Sequence, residues 1–262
     1  MFQILFTLGF IGCSSEDYPD EPIPPDVEEI AARFFSPTGI LNEETANQLG
    51  SWLLQDGGAV VLGSGTLVQS VLPDLLSSME TGLLQGNGNQ DSSSALPFEA
   101  GGWLRMSLPC GEEEEQRLTL QALFSTAGLD PTIWGDSRCQ WEELGISLDG
   151  DLSFFLSPSD WAYEQGSWIN IDGQMSYGEQ ALSGAHHLMV DTQGNARVLW
   201  EQDDNRFIVT APVIDLENSL ISIGSIEEFA QLSVTVETET GVWQCDLSTT
   251  SCSGPDGGLI EL

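Results

Sequence analysis

The chain has 262 residues, enough for one large domain or two small ones with a sizeable core. Its net charge is −35, from 41 acids against six arginines and no lysine. This balance excludes phosphate-backbone binding, which depends on Lys and Arg, and charge-driven docking on anionic lipid headgroups. With 18% charged and 40% hydrophobic residues, the composition is that of a folded chain and not of a disordered acidic tail.

The N-terminal run Phe2–Gly12 is uncharged and mostly apolar, and it closes with Phe10-Ile11-Gly12-Cys13. It is about half the ~20 residues that a transmembrane helix needs. An acidic, proline-rich stretch follows at once. A short apolar core, a small residue and then Cys resembles the signal of a bacterial lipoprotein. The resemblance implies a signal peptide over residues 1–12, lipidation at Cys13 and an acyl anchor in the lipid bilayer. The expected location is the bacterial cell envelope, and Ser14 after the Cys points to the outer membrane. Residues 13–26 then form an acidic Pro-rich tether that lifts the folded part off the membrane.

Residues 27–83 are expected to be helical. Val27–Phe35 makes a short helix with Ile30 and Phe34 on one face, stopped before Pro37. Leu41–Gln55 makes a better one, with Asn42 as cap, Glu43 and Glu44 in the first turn, and Ala46, Leu49 and Leu53 as its stripe. Ala59–Leu62 reads as a short apolar strand or buried turn, and Thr66–Met79 as a third helix. Residues 84–97, rich in Gly, Asn and Ser, read as a flexible linker or loop.

From residue 98 to 262 the period changes to two. Leu118, Leu120, Ala122 and Phe124 alternate with polar residues, as do Phe207, Val209 and Ala211, and Leu232, Val234 and Val236. Leu152–Leu156 and Trp168–Ile171 also read as strands. Polar turns at Asp191–Asn195 and Gln202–Asn205 link successive strands, and Gly241–Asp246 adds an edge hairpin. The expected fold is α+β, mainly β: short N-terminal helices followed by an antiparallel β-meander forming a sandwich, half-barrel or barrel.

Five cysteines leave four beside Cys13, and these can close two disulfides in an oxidising compartment. Sequence proximity favours Cys110–Cys139 and Cys245–Cys252, the latter across a hairpin centred on Ser248-Thr249. With no Cys-x-x-Cys pair and two histidines, no zinc site is expected.

Motifs for chemistry are sparse. Gly57–Thr66 looks like a strand entering a glycine-rich phosphate loop, but Val68 replaces the third glycine and no Lys follows. Leu62 breaks a nucleophile elbow at Ser64. His186 and His187 are adjacent on a strand, so they point to opposite faces and are not expected to share one site. Asp149-Gly150-Asp151 and Asn170-Ile171-Asp172-Gly173 suit hairpin turns and at most weak surface Ca2+ binding. The run Glu112–Glu115 reads as a solvated loop. Trp161, Tyr163, Trp168 and Tyr177 cluster in sequence and are the candidate ligand-binding aromatics.

No catalytic residue, metal ligand or cofactor is assigned. The expectation is a non-enzymatic binding or structural module of the cell envelope that contacts an apolar ligand, a glycan or an envelope protein. The alternative is a secreted hydrolase using paired carboxylates.

Overall fold

Short polar side chains begin the helices. Asp26 accepts from the Glu29 backbone N–H at 2.9 Å and opens α1 (Val27–Arg33). Asn42 caps α2 (Glu43–Trp52): its side chain accepts from the Glu44 and Thr45 N–H groups, while Thr45 Oγ1 accepts from the Asn42 N–H. Such a reciprocal cap satisfies donors that have no partner within the helix. From α2 the chain runs through one π-helical turn, Leu53–Gly57, into α3 (Gly58–Thr66). The computed structural model describes residues 23–67, 102–110, 115–125, 128–155, 167–191, 195–202, 204–212, 214–215, 220–221 and 224–262.

Helix α3 corrects one expectation. Ala59–Leu62 is neither strand nor turn but the middle of this helix, and Gly57–Thr66 is not a strand leading into a loop. Every residue from Gly58 to Gly65 is buried. A segment surrounded by apolar side chains has to pair its own N–H and C=O groups, and a helix does so without a neighbouring strand. Val60, Val61 and Leu62 are at most 2% exposed, and burial of each is worth about 1.5–3 kcal/mol. That outweighs the few tenths of a kcal/mol by which β-branched residues disfavour a helix.

The strands follow in chain order: β1 (Gly102–Pro109), β2 (Arg117–Ser125), β3 (Gly128–Trp141), β4 (Ile146–Phe155), β5 (Ser167–Tyr177), β6 (Gln180–Val190), β7 (Ala196–Gln202) and β8 (Asn205–Ala211). A two-stranded ribbon, β9 (Ile214–Asp215) with β10 (Leu220–Ile221), and a one-turn helix, α4 (Ile226–Phe229), come next. Then come β11 (Ser233–Thr238), β12 (Gly241–Asp246), β13 (Ser251–Ser253) and β14 (Leu259–Glu261). Among the described residues twelve strands form one antiparallel sheet, in chain order except that β11 follows β8. The fold is thus mostly β with a few helices, and the sheet is not closed into a barrel.

Period two decides which face each side chain covers. The inner face carries Leu118, Leu120, Ile133, Leu148, Phe154, Ile171, Leu188, Val198, Phe207, Val209, Val234 and Val236, packed with Leu49, Leu53 and α3 in the main core. The outer face carries a smaller cluster, Phe155, Trp168, Met189, Leu199 and Ile208, which is covered by Ala31 of α1 and by Phe34 at its C-cap. Ile30 packs beside them as the helical spacing suggests. Arg197 fastens this cover: it donates to the Phe34 carbonyl at 2.7 Å, lies over the Phe35 ring and pairs with Glu237 at 2.8 Å.

Two disulfides tie the sheet, and both join the cysteines that sequence proximity favours. Cys110, after β1, bonds Cys139 of β3, and Cys245 of β12 bonds its register partner Cys252 of β13. No helix among the described residues is long and apolar enough to cross a membrane.

Candidate functional site

Beyond the part covered by α1, the outer face becomes polar. One cross-strand row runs Gln121–Trp134–Ser153–Asn170–His187 through β2 to β6. The adjacent row runs Thr119–Asp136–Asp151–Asp172–Ala185 through the same strands. Apart from Thr119, these residues line an open groove of about 320 Å³. Trp134, Ser153 and Asn170 are half-buried, and the three aspartates are exposed.

A line of glycines shapes the sheet beside the groove. Gly150, Gly173 and Gly184 are successive register partners on β4, β5 and β6. Gly150 and Gly173 have φ of 155° and 154°, and a Cβ on Gly150 would lie 2.3 Å from the Asp172 carbonyl oxygen. Only glycine fits there, and glycine inside a strand marks a bend or a close backbone approach. This corrects a second expectation. Asp149-Gly150-Asp151 and Asn170–Gly173 are not hairpin turns; they lie mid-strand, where the close contact between the strands demands the glycines, and Asp151, Asn170 and Asp172 line the groove.

His187 is held in the groove through both ring nitrogens. Its Nδ1 is 2.9 Å from Asn170 Oδ1, and its Nε2 is 3.4 Å from Arg33 Nη2. Arginine can only donate, so Nε2 accepts and the ring proton sits on Nδ1, donating to Asn170. Burial, reinforced by the Arg33 charge, lowers the His187 pKa to about 4, so the imidazole is neutral at pH 7. Glu201 pairs with both Arg33 and Arg206. Burial works against its charge, but the Arg206 and Arg33 contacts outweigh that and hold the carboxyl below the ordinary range.

His186 faces the other way, onto the inner side with Leu188, as adjacent strand residues must. Even so, the expectation that the two histidines cannot share a site fails. Strand β7 pairs with β6 only over 187–190 and then parts from it. A cavity of about 430 Å³ opens in this fork and is lined by both His186 and His187. Burial lowers the His186 pKa as well, against opposing pulls from Asp56 and Asp172.

Of the aromatics singled out in the sequence, Trp161 and Tyr163 lie outside the described residues, as does Cys13. Trp168 is 3% exposed and stacks on Phe155 at 6.0 Å within the outer cluster. Tyr177, half-buried, packs on the inner core at the other end of β5. The structure does not bring Trp168 and Tyr177 together. The aromatic residue in the groove is Trp134, which no local motif marks; what the sequence does carry is the Asp-Gly-Asp and Asn-x-Asp-Gly pair. Among the described residues, no group of three or more His, Cys, Asp or Glu is placed to hold a metal ion.

No protein-family model matches the chain, and neither a curated protein nor a solved structure does.

Proposed function

We propose that this is a lipid-anchored cell-envelope binding module without catalytic activity, whose outer-face groove binds a glycan. One observation carries this: a half-buried tryptophan stands in register with Gln, Ser, Asn and His side chains on five adjacent strands, above a row of three carboxylates. A sugar presents an apolar C–H face and a rim of hydroxyls. Trp134 offers a stacking surface for the first, and the amides, hydroxyl and carboxylates offer donors and acceptors for the second. Of the two ligand classes the sequence leaves open, an apolar one has less support, because the inner face that would hold it is packed around α3.

Titration with N-acetylglucosamine oligomers, followed by tryptophan fluorescence and calorimetry, tests the groove. Saturable binding is expected, weakened about tenfold or more by Trp134→Ala, the loss of more than about 1 kcal/mol that truncating an aromatic anchor brings. Unchanged binding in that variant would remove the groove from consideration.

A hydrolase is the second reading, because Asp151 and Asp172 are register partners on one face. Opposed side chains there have Cβ atoms about 4.5–5.5 Å apart, which allows paired carboxylates to act together. Product release from the same oligomers, abolished in Asp151→Asn and Asp172→Asn while binding persists, would select it.

The anchor is proposed on the Cys13 junction alone. Growth with labelled fatty acid should mark the wild-type chain and not Cys13→Ser. Equal labelling of both would discard the lipoprotein assignment.

A further inference from the structure

The cavity in the fork between β6 and β7 shares Ala185 and His187 of β6 with the groove and adds residues of the α2–α3 run and of β7 that the groove lacks. Trp52 and Asp56 come from the α2–α3 run, Leu182 and His186 from β6, and Trp200 from β7. Its origin is topological, since β6 over 180–186 pairs with β5 on one side and with no described strand on the other. The π turn Leu53–Gly57 carries Asp56 to this opening.

Three observations define its chemistry. The Trp52 and Trp200 rings stand 6.3 Å apart at 31° and both line the space. Asp56 has no ion pair or hydrogen bond among the described residues, whereas Glu201, on the far rim, is already taken up by Arg33 and Arg206. His186 is 9% exposed, and its Nε2 is buried without a hydrogen-bond partner among the described residues.

We propose that this cavity binds a small organic ammonium ion, held with the Trp52–Trp200 ring pair on one side and the Asp56 carboxylate as its counter-charge. Indole faces carry negative electrostatic potential and attract cations, most strongly where water is displaced. The Asp56 carboxylate, unpaired among the described residues, supplies the matching charge, and the two neutral imidazoles add none that opposes it. A net charge of −35 raises the concentration of cations near the surface. An anionic ligand would instead meet Asp56 and the field of the whole chain. Leu182 and Val60 accommodate alkyl substituents on the nitrogen.

Calorimetric titration of the full-length protein with choline, beside its neutral carbon isostere dimethylbutanol at matched ionic strength, tests the site. Choline is expected to saturate and the alcohol to bind at least about tenfold more weakly, the loss expected when a desolvated cation–π contact is removed. Asp56→Asn and Trp52→Leu should each weaken choline about tenfold with melting temperature unchanged. If Trp52→Leu fails to fold, the half-buried Asp56 decides alone. Equal affinity for the neutral isostere would reduce the site to an apolar hole and overturn the proposal. So would the absence of saturable choline binding up to about 10 mM, weaker than the millimolar range of small-ligand sites.

Discussion

His187 of β6 and Asn170 of β5 are joined side chain to side chain, Nδ1 to Oδ1 at 2.9 Å, and this bond sets which ring nitrogen holds the proton. With Arg33 at Nε2, a second proton has no acceptor to meet and a guanidinium to repel it.

The consequence is a pH dependence with a definite sign. The folded pKa of about 4 lies below the ordinary 6.5. Below pH 6.5 the unfolded chain therefore takes a proton that the folded chain refuses. The stability from this site is whole above that pH and is lost as pH falls toward about 4, reaching roughly 2 kcal/mol by pH 5. Protonation of the many carboxylates relieves repulsion and acts in the opposite direction, so the difference between variants is the clean measure. Between pH 7 and pH 5, His187→Gln should lose about 2 kcal/mol less than wild type in urea unfolding. Ring resonances of His187 titrating near pH 6.5 would show that the site does not hold the neutral imidazole.

Local signals were legible where one residue type answers one local need. Asn42 starts α2 because its side chain can take two orphan donors, and that is visible in the Asn42-Glu-Glu-Thr45 string alone. Phe207, Val209 and Ala211, with Val234 and Val236, face inward at the period their alternation requires. Cys245 and Cys252 flank a turn of suitable length. What escaped was non-local. Helix α3 has no polar face to give a period, so its sequence fits a buried strand as well as a helix. Asp149-Gly150-Asp151 has turn chemistry, but here the glycine is required by β5 passing close beside it. The groove exists only through register across five strands, which no short segment encodes.

The two disulfides should differ in worth. Their sequence separations are 29 and 7 residues, and loop-closure entropy then gives roughly 3.6 kcal/mol for Cys110–Cys139 and roughly 2.5 kcal/mol for Cys245–Cys252. Cys110→Ser/Cys139→Ser is expected to lower the denaturation midpoint more than Cys245→Ser/Cys252→Ser. The reverse order in guanidinium melts would mean that native packing around β12 and β13, and not chain entropy, sets the ranking.

Asp151 stands between Asp136 and Asp172 as register partner of both. Like charges directly opposite on a sheet are destabilising, so Asp151→Asn should raise stability by about 0.5 kcal/mol in low salt. The gain should shrink as salt screens the row, the Debye length falling to about 3 Å at 1 M. Wild-type melting temperature should rise over the same sodium chloride series, given the net charge of −35. Should Asp151→Asn prove destabilising at every salt concentration, the carboxylate would have to be held by a favourable partner, and the electrostatic account of the row would be wrong.

Gly150 offers the sharpest test of how the sheet is built. Its φ of 155° belongs to a region that only glycine occupies without strain, and a Cβ would sit 2.3 Å from the Asp172 carbonyl oxygen and 2.7 Å from Gly173 Cα. Both obstacles are backbone, so neither can swing aside as a side chain would. Gly150→Ala must push β4 away from β5, with an expected cost of about 3 kcal/mol or more. Gly178 is the control: it is also left-handed, with φ of 59°, but no atom lies within 4 Å of its virtual Cβ. Gly178→Ala should cost only the conformational penalty of about 1–2 kcal/mol. Urea unfolding of the two variants separates crowding from dihedral preference, because only Gly150 carries both. Gly150→Ala should also disturb the Asp151–Asp172 pairing that lines the groove, and so weaken any ligand bound there. Equal losses in the two variants would show that β4 and β5 can part at this point at little cost, and that the bend is not fixed by the glycine contact.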